Sequence, residues 1–363
     1  ILPLLFETQI REIMKKTLLC LICISLSFNF VLTAQSNDSI LQKAIKLIDS
    51  EQYYDAERCL KSAIDNGADS LYLHYELAWC YYSMQDYKKS IATLENLLKR
   101  ADVVADVYQL LGNAYDEIGQ SGKAVSIYEE GLDKFEDAGC LYLELGNMKY
   151  KNGDYKNALY YYEKGIEHDP YFASNYYRAA LIFISSTEEV WGVMYGELFM
   201  LLERDSERCK LLSRQLFDTY FQEITFNRGK VEADFDSPII AYSNSSVRPN
   251  LFPENFRSAI AVSAKNERHL DLASLNRIRH RFSSEFSRSS SSFENVLSNY
   301  HKKLISAGHF EAYNYWLFGY GNPSQCAAWV KANKTKWDSF LAWFEKNPIS
   351  ISADEIFTRY TME

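Results

Sequence analysis

Four residues near the end of the chain have the types and order of a zinc site that activates water. His309 and Glu311 are separated by one residue, and Pro323 and Cys326 follow. Such a site needs an imidazole and two thiolates as ligands, with one cysteine directly after the proline and a second three residues later. A serine and an alanine stand at those two positions. The ligand set is incomplete, so we reject this site.

The sequence carries no other pattern typical of catalysis or cofactor binding. It has no His-Glu-x-x-His metal helix, no glycine-rich phosphate loop and no Gly-x-Ser-x-Gly elbow. The remaining histidines are scattered along the chain. We therefore predict no catalytic residue, no metal site and no cofactor, and we expect that the protein is not an enzyme.

Small residues recur every 34 positions in two series, and this register indicates which elements organise the chain. A period of 34 residues built from two helical patterns predicts stacked helical hairpins. The small residues let the two helices of a hairpin approach closely, and polar or glycine-containing stretches between them predict tight turns. The first series is Ala44, Ala78, Gly112, Gly146 and Ala180, and the second is Ala56, Ser90, Ala124, Ala158 and Gly192.

Larger residues in the same register resemble those of the tetratricopeptide repeat family. The best matches are Leu111-Gly112-x-x-Tyr115, with Ala124 and Tyr128 after it, and the equivalent run from Leu145 to Tyr162. The resemblance covers roughly residues 36–204 and implies a helical-hairpin solenoid. The fifth repeat departs most, because Gly192 and Gly196 replace the usual alanine and aromatic residue. Its second helix is therefore doubtful.

In this family the first helix of each repeat lines a concave groove. The resemblance implies that the residue after each small position, with those one turn to either side, points into that groove. We therefore predict that the groove binds a peptide or protein partner. The predicted groove residues are Tyr75, Trp79, Tyr82, Gln109, Asn113, Asp116, Leu143, Asn147, Tyr150 and Tyr177.

Two equivalent asparagines, Asn113 and Asn147, are the most suggestive of these residues. A side-chain amide can both donate to and accept from a peptide backbone, and neighbouring aromatic rings supply apolar area. The basic residues that clamp a terminal carboxylate in one version of the family are missing here. The other interpretation, that both asparagines serve helix ends or face solvent, stays open.

The start of the sequence has a pattern that predicts an export signal. Met14-Lys15-Lys16 precedes a mostly apolar stretch, and Leu32-Thr33-Ala34 precedes polar Gln35. A basic region, a short apolar core and a small residue at the cleavage point are typical of a secretory signal peptide. We predict a signal peptide at 14–34, a mis-annotated upstream segment at 1–13, and a periplasmic or secreted protein with no membrane span after cleavage. An uncleaved anchor is the alternative.

The charge of the repeat region argues against a nucleic-acid partner. Residues 36–205 contain 16 lysines and arginines against 29 aspartates and glutamates, whereas 206–363 contain 20 against 17. A surface of net negative charge repels the phosphate backbone. We expect a peptide or protein partner and no nucleic acid.

Together these patterns predict an all-α protein. A solenoid of about five repeats and a capping helix, Ser206 to Ile224, occupies 36–224. An irregular connecting region follows at 225–292, and a helical region at 293–363 begins with a long helix broken near Gly308. The predicted function is a non-enzymatic, exported interaction module. Two alternatives remain: a catalytic C-terminal half with Glu311 and His309 as first candidates, and a purely structural scaffold.

Overall fold

The computed structural model of the chain describes residues 38–227, 230–235, 251–289 and 293–362. The predicted upstream segment at 1–13 and signal peptide at 14–34 lie outside these residues. The described part is helical apart from one two-stranded hairpin, which confirms the all-α fold class. No helix within it is both long enough and apolar enough to cross a membrane. The chain divides between Phe135 and Glu136 into two compact units.

The described part of the first unit consists of three helical hairpins, which are the first three predicted repeats. The helices are α1 (38–49), α2 (Tyr53–Asp65), α3 (Leu71–Ser83), α4 (Tyr87–Leu97), α5 (Ala105–Glu117) and α6 (Ser121–Lys134). α3 packs against α4 and α5 against α6, and α2 and α4 also pack against the first helix of the next repeat. In the first hairpin, Ala44 of α1 and Ala56 of α2 belong to one buried cluster.

The turn inside each hairpin repeats one backbone conformation at the 34-residue spacing. Glu51, Gln85, Gly119 and Gly153 all have positive φ, between 59° and 77°. The amide of the following residue donates to a carbonyl five positions back, for example from Gln120 to Tyr115. This left-handed helix ending satisfies the last carbonyls of the first helix. The predicted tight turns are confirmed.

The second unit contains the fourth and fifth repeats and the C-terminal helices. The repeats are formed by α7 (Gly139–Lys151), α8 (Tyr155–His168), α9 (Ala173–Ile184) and α10 (Glu189–Glu203). The other elements are α11 (Glu207–Glu223), β1 (Ile224–Asn227), β2 (Lys230–Ala233), α12 (Leu251–Ala264), α13 (Leu272–Ser289), α14 (Val296–Ser306), α15 (Phe310–Phe318), α16 (Pro323–Ala332) and α17 (Lys334–Lys346), and two 3-10 turns, Ala353–Glu355 and Tyr360–Met362.

The doubt about the second helix of the fifth repeat was wrong. α10 is a regular helix of 15 residues, and most of its residues are buried. Its glycines allow close packing: a methyl group at Gly192 would overlap Ile184, and one at Gly196 would press on Leu216. The glycines that looked like helix breakers therefore let α10 lie close to α9 and α11.

The predicted irregular region at 225–292 is also wrong for most of its described residues. α12 and α13 together cover 251–264 and 272–289, and they pack against each other. The serines after Phe282 continue α13 as far as Ser289. β1 and β2 pair antiparallel, with Ile224 opposite Ala233. The buried face of α13, which includes Leu275 and Ile278, supplies the stability that its serine-rich end lacks.

The predicted capping helix does not end the repeats. α11 spans nearly the predicted range, and its N-cap is Ser206, whose side chain accepts a hydrogen bond from the Cys209 amide. However, α11 packs against both α10 and α15. Leu212, Leu216 and Tyr220 are buried between these neighbours, so the fifth repeat continues into the C-terminal helices within one unit, and 224/225 is not a boundary.

The C-terminal region begins with the predicted broken helix. Gly308, with a φ of +74°, separates α14 from α15. α16 and α17 follow the turn at 319–322. Phe340 and Phe344 of α17 are buried among the aromatic rings of this region, including those of Tyr313 and Trp316.

The two series of small residues lie inside the hairpins, as the register predicts. Ala78 and Ala124 are fully buried, as are the other alanines of both series. Gly112 is the sharpest case, because an added Cβ would overlap the ring of Tyr128 on the second helix of the same hairpin. The glycine thus makes room for a ring that a larger residue would exclude.

The substitution Gly112→Ala should destabilise the first unit by about 1–3 kcal/mol, because the methyl group must displace Tyr128. The matched control is Gly122→Ala in α6, where nothing lies within 4 Å of the added Cβ. The control should stabilise by about 0.5–1 kcal/mol, since alanine is the better helix former. Urea unfolding followed by circular dichroism measures both, and equal effects would contradict the packing role of Gly112.

Candidate partner-binding site

α3 carries three of the predicted groove residues. Trp79 exposes 37% of its surface, and Tyr75 and Tyr82 are half-buried. The rings of Trp79 and Tyr82 stack with their centroids 5.8 Å apart, and Tyr82 meets Tyr87 edge-on at 5.4 Å. Because these rings hold one another, they lose little rotamer freedom when a partner binds.

α5 carries the next three, Gln109, Asn113 and Asp116, all half-buried. Asn113 accepts a hydrogen bond through Oδ1 from the Tyr128 hydroxyl at 2.5 Å. Asp116 accepts one from the hydroxyl of Ser121. α3 and α5 pack together. The first unit therefore brings six of the ten predicted residues onto two neighbouring helices.

Two of the four predicted residues of the second unit are partly covered by its core. Leu143 and Tyr177 pack against the hydrophobic core of the unit. The ring of Tyr177 lies 5.0 Å from that of Phe199, and the guanidinium of Arg208 lies 5.1 Å from its centroid. Tyr150, with 45% of its surface exposed, is the most open of the four.

The two asparagines belong to a trio that the third and fourth repeats share. In the third repeat, the Tyr128 ring lies over Gly112 and its hydroxyl donates to Asn113. The fourth repeat has the same trio as Gly146, Asn147 and Tyr162, with a hydroxyl-to-amide distance of 3.0 Å. The second repeat has Ala78, Trp79 and Leu94 at these positions. In these two repeats, asparagine accompanies tyrosine because its side chain accepts a hydrogen bond from the half-buried tyrosine hydroxyl. Neither interpretation from the sequence included this role.

A cavity of about 450 Å³ lies beside Tyr150 in the second unit. Tyr150 and Tyr155 meet edge-on at 5.3 Å on one side, and Phe183 and Arg359 line it as well. Arg359 comes from the C-terminal tail, where its side chain donates to both carboxylate oxygens of Glu163 at 2.8 and 2.7 Å. The sequence register could not reveal this neighbour, which is 196 residues away from Glu163.

Two tetratricopeptide repeat family models match the sequence, one over residues 47–114 and the other over residues 110–171. This part of the chain belongs to the tetratricopeptide repeat family. The match confirms the resemblance drawn from the small and aromatic residues of the 34-residue register. It begins within α1 and ends just after α8. No curated protein matches the sequence.

Solved structures similar to this chain include two tetratricopeptide repeat proteins. One from Thermus thermophilus is 13% identical, covers 49% of this chain and 98% of its own, and has a TM-score of 0.42. The C-terminal part of a repeat-containing protein from Cytophaga hutchinsonii is 14% identical, with coverages of 82% and 98% and a TM-score of 0.36. MamA is 19% identical, with coverages of 44% and 94% and a TM-score of 0.35.

Its tetratricopeptide repeats make residues 47–171 a protein-interaction module. The predicted groove residues on α3 and α5 lie within the matched range, as do Leu143, Asn147 and Tyr150 on α7. Tyr177 lies beyond its end. The general function inferred from the sequence is therefore supported by the family, whereas the role of each groove residue stays a prediction.

Beyond the tetratricopeptide repeats, the sequence reasoning missed a buried charged cluster in the second unit. Glu197 of α10 accepts hydrogen bonds from Arg279 of α13 at 2.6 and 2.8 Å and from the Tyr313 hydroxyl at 2.6 Å. A ring nitrogen of His301 lies 2.7 Å from the same carboxylate. All four side chains are buried. A glutamate inside the apolar sequence of α10 was the available signal, because a buried charge needs a partner.

The pKa values of this cluster show how its charges balance. Burial alone would raise the pKa of Glu197, but Arg279 and His301 outweigh it and lower the pKa to about 2. Burial lowers the pKa of His301, despite the opposing effect of Glu197. Glu197 is therefore ionised and paired with Arg279. Burial of all four side chains away from solvent suits a structural role rather than catalysis.

The other candidates for catalysis have separate surroundings. The ring of His309 lies 5.3 Å from that of Trp343. Glu311 accepts hydrogen bonds from the Trp329 indole at 3.2 Å and from Lys336 at 3.1 Å. Across the residues that the structure describes, no three His, Cys, Asp or Glu side chains are placed to hold a metal ion.

The substitution Glu197→Gln should destabilise the second unit by about 3–5 kcal/mol, because it leaves Arg279 charged and buried without a carboxylate. The lowered pKa of Glu197 means that its contribution to stability is present above pH 4.5 and is lost as the pH falls toward 2. Urea unfolding followed by tryptophan fluorescence at several pH values measures both effects.

The control is Asp338→Asn, which removes an exposed ion pair with Lys334 and should cost at most about 1 kcal/mol. If Glu197→Gln costs no more than this control, the cluster does not stabilise the unit.

Proposed function

We propose that this protein is a non-enzymatic, exported interaction module that binds a peptide or protein on the α3–α5 face of its first unit. That face is defined by Tyr75, Trp79, Tyr82, Gln109, Asn113 and Asp116. The observation that carries the proposal is the half-exposed stack of Trp79 on Tyr82 within matched tetratricopeptide repeats. Large rings held in place are the commonest anchors of protein interfaces.

Polar groups beside the rings suit a peptide backbone. The side-chain oxygen of Asn113 accepts a hydrogen bond from the Tyr128 hydroxyl. The side-chain NH₂ group is therefore the part of Asn113 that would donate to a carbonyl oxygen of the partner. Asp116 and Glu117 follow on the same helix. A partner with an amide-rich, neutral or basic segment fits this face, whereas a nucleic acid would meet its negative charge.

The non-enzymatic part of the proposal is supported by the surroundings of the acid–base groups. Glu197 and His301 are buried in an ion cluster, and His309 and Glu311 have different neighbours. A general base must reach the proton that it removes, and such a group needs an accessible site. None of these four side chains lines the cavity beside Tyr150.

One observation favours the alternative of a structural scaffold. In the second unit, Leu143 and Tyr177 pack into the unit's own core, and Arg359 of the tail binds Glu163 of α8. The second unit thus uses part of its predicted groove internally, which is why we place binding on the first unit.

The substitution Trp79→Ala should weaken peptide binding about 30-fold, corresponding to about 2 kcal/mol for a central aromatic anchor. Ligands are selected from a random-peptide library on the immobilised full chain, and their affinities are then measured by fluorescence polarisation. The matched control is Tyr54→Ala, which removes an exposed ring from α2, outside the α3–α5 face. Circular dichroism verifies that both variants keep their helices.

The proposal for the first unit fails if no selected peptide binds, or if Tyr54→Ala weakens binding as much as Trp79→Ala. Either result would favour the scaffold interpretation. Undiminished binding by Trp79→Ala would also exclude this face.

Export is the second part of the proposal, and it has its own test. When the gene is expressed from Met14 in a bacterium, the mature protein should begin at Gln35, because the small residues before it suit signal peptidase. Cell fractionation and the intact mass of the purified protein measure this. Replacing Leu18 and Leu19 by Arg should abolish export, and a cytoplasmic, unprocessed wild-type protein would contradict the proposal.

A further inference from the structure

α16 is a ten-residue helix in which no residue is buried. Its apolar face nevertheless follows helical spacing, with Pro323, Cys326, Ala327 and Val330 on one side. This face borders a cavity of about 360 Å³ within the second unit. An amphipathic helix normally places its apolar face against a core. α16 instead uses that face as one wall of a cavity.

Aromatic rings form much of the opposite wall. Tyr315 and Trp316 project from α15, and Trp337 comes from α17. Tyr315 is held by Trp329, whose ring stacks on it at 4.3 Å, and Trp316 meets Phe344 edge-on at 4.8 Å. Burial raises the pKa of Tyr315 to about 12, so its hydroxyl stays neutral near pH 7. These walls are apolar, rigid and rich in ring faces.

Three charged residues line the cavity: Arg204, Asp205 and Lys210. Arg204 lines it and has an unusual backbone for a non-glycine residue, with φ 62° and ψ −40°. Its guanidinium donates to the carbonyl oxygens of Leu201, Phe344 and Asn347 at 3.0, 2.6 and 3.4 Å. No carboxylate pairs with it among the described residues. Of its charged neighbours in the lining, Lys210 pairs with Glu207 and Asp205 is exposed.

We propose that this cavity binds a small aromatic carboxylate, with its ring between α16 and the Trp316–Trp337 wall and its carboxylate toward Arg204. The volume lies within the range of small-molecule sites, which are mostly apolar with a few placed polar groups. The ring faces favour a flat aromatic body over a flexible chain, since stacking needs a planar partner. The uncompensated guanidinium favours an anion over a neutral ring, because a half-buried cation without a carboxylate gains from pairing.

The test uses 1-naphthoate as the probe, with 1-naphthamide as the neutral ring and decanoate as the anionic chain. Isothermal titration calorimetry on the full chain should give saturable binding of 1-naphthoate, at least tenfold tighter than of either comparison compound. Ala327→Phe fills the cavity and should weaken 1-naphthoate binding at least tenfold. Ala328→Phe is the matched control, because Ala328 is exposed on the same helix and does not line the cavity.

Two further measurements complete the test. The first distinguishes recognition of the carboxylate from recognition of the ring, and the second uses the wild-type chain, so that it does not depend on the folding of a variant. Arg204→Gln should weaken 1-naphthoate binding at least threefold while leaving 1-naphthamide binding unchanged. In the wild-type chain, 1-naphthoate should slow maleimide labelling of Cys326, which lines the cavity, but not of Cys59, a half-buried free thiol in the first unit. Burial raises the pKa of Cys326, so labelling is done at alkaline pH.

The proposal is overturned if 1-naphthoate does not saturate the wild-type chain, or if Ala327→Phe binds it as tightly as Ala328→Phe. Equal binding of 1-naphthamide or decanoate overturns the assignment of an aromatic carboxylate. Equal protection of Cys326 and Cys59 shows that the compound does not occupy this cavity. Peptide selection on Trp79 variants uses the other unit, so the two proposals fail independently.

Discussion

The repeats depend on how closely the two helices of each hairpin can approach. Where the first helix has glycine, the tyrosine of the second helix lies over it and its hydroxyl reaches the next side chain, as Gly112, Tyr128 and Asn113 show. This contact sets the helix spacing and uses one half of the asparagine amide. It therefore also limits what the asparagine can offer a partner, and leaves the rings of α3 as the stronger anchors.

The second unit is held together by a different interaction. Glu197 lies on the last repeat helix, whereas Arg279, His301 and Tyr313 lie on three C-terminal helices. A buried carboxylate is stable only when its partners are in place, so this cluster joins α10 to α13, α14 and α15. The tail adds a second link between Arg359 and Glu163. The C-terminal helices are thus part of the unit that holds the fourth and fifth repeats.

The register predicted the hairpins, their turns and their buried small residues, because each of these is fixed by contacts within a repeat or with the next one. It failed at α10, where glycine marks close packing instead of a helix end, and at α13, where a serine-rich stretch is helical because its apolar positions are buried. Among the predicted groove residues, the aromatic rings on α3 are partly exposed, whereas the ring of Tyr177 is covered by Phe199 and Arg208. Local patterns do not report such distant neighbours.

The sequence by itself determined the repeat family, the helical class and the positions that could face a partner, since a 34-residue period repeats the same short-range contacts. Only the tertiary structure decided which of those positions remain accessible, and it alone paired Glu197 with Arg279 and brought α16 and Arg204 to one cavity. These groups are 82 or more residues apart along the chain. Their contacts arise from packing between non-repeating helices, for which the sequence contains no periodic signal.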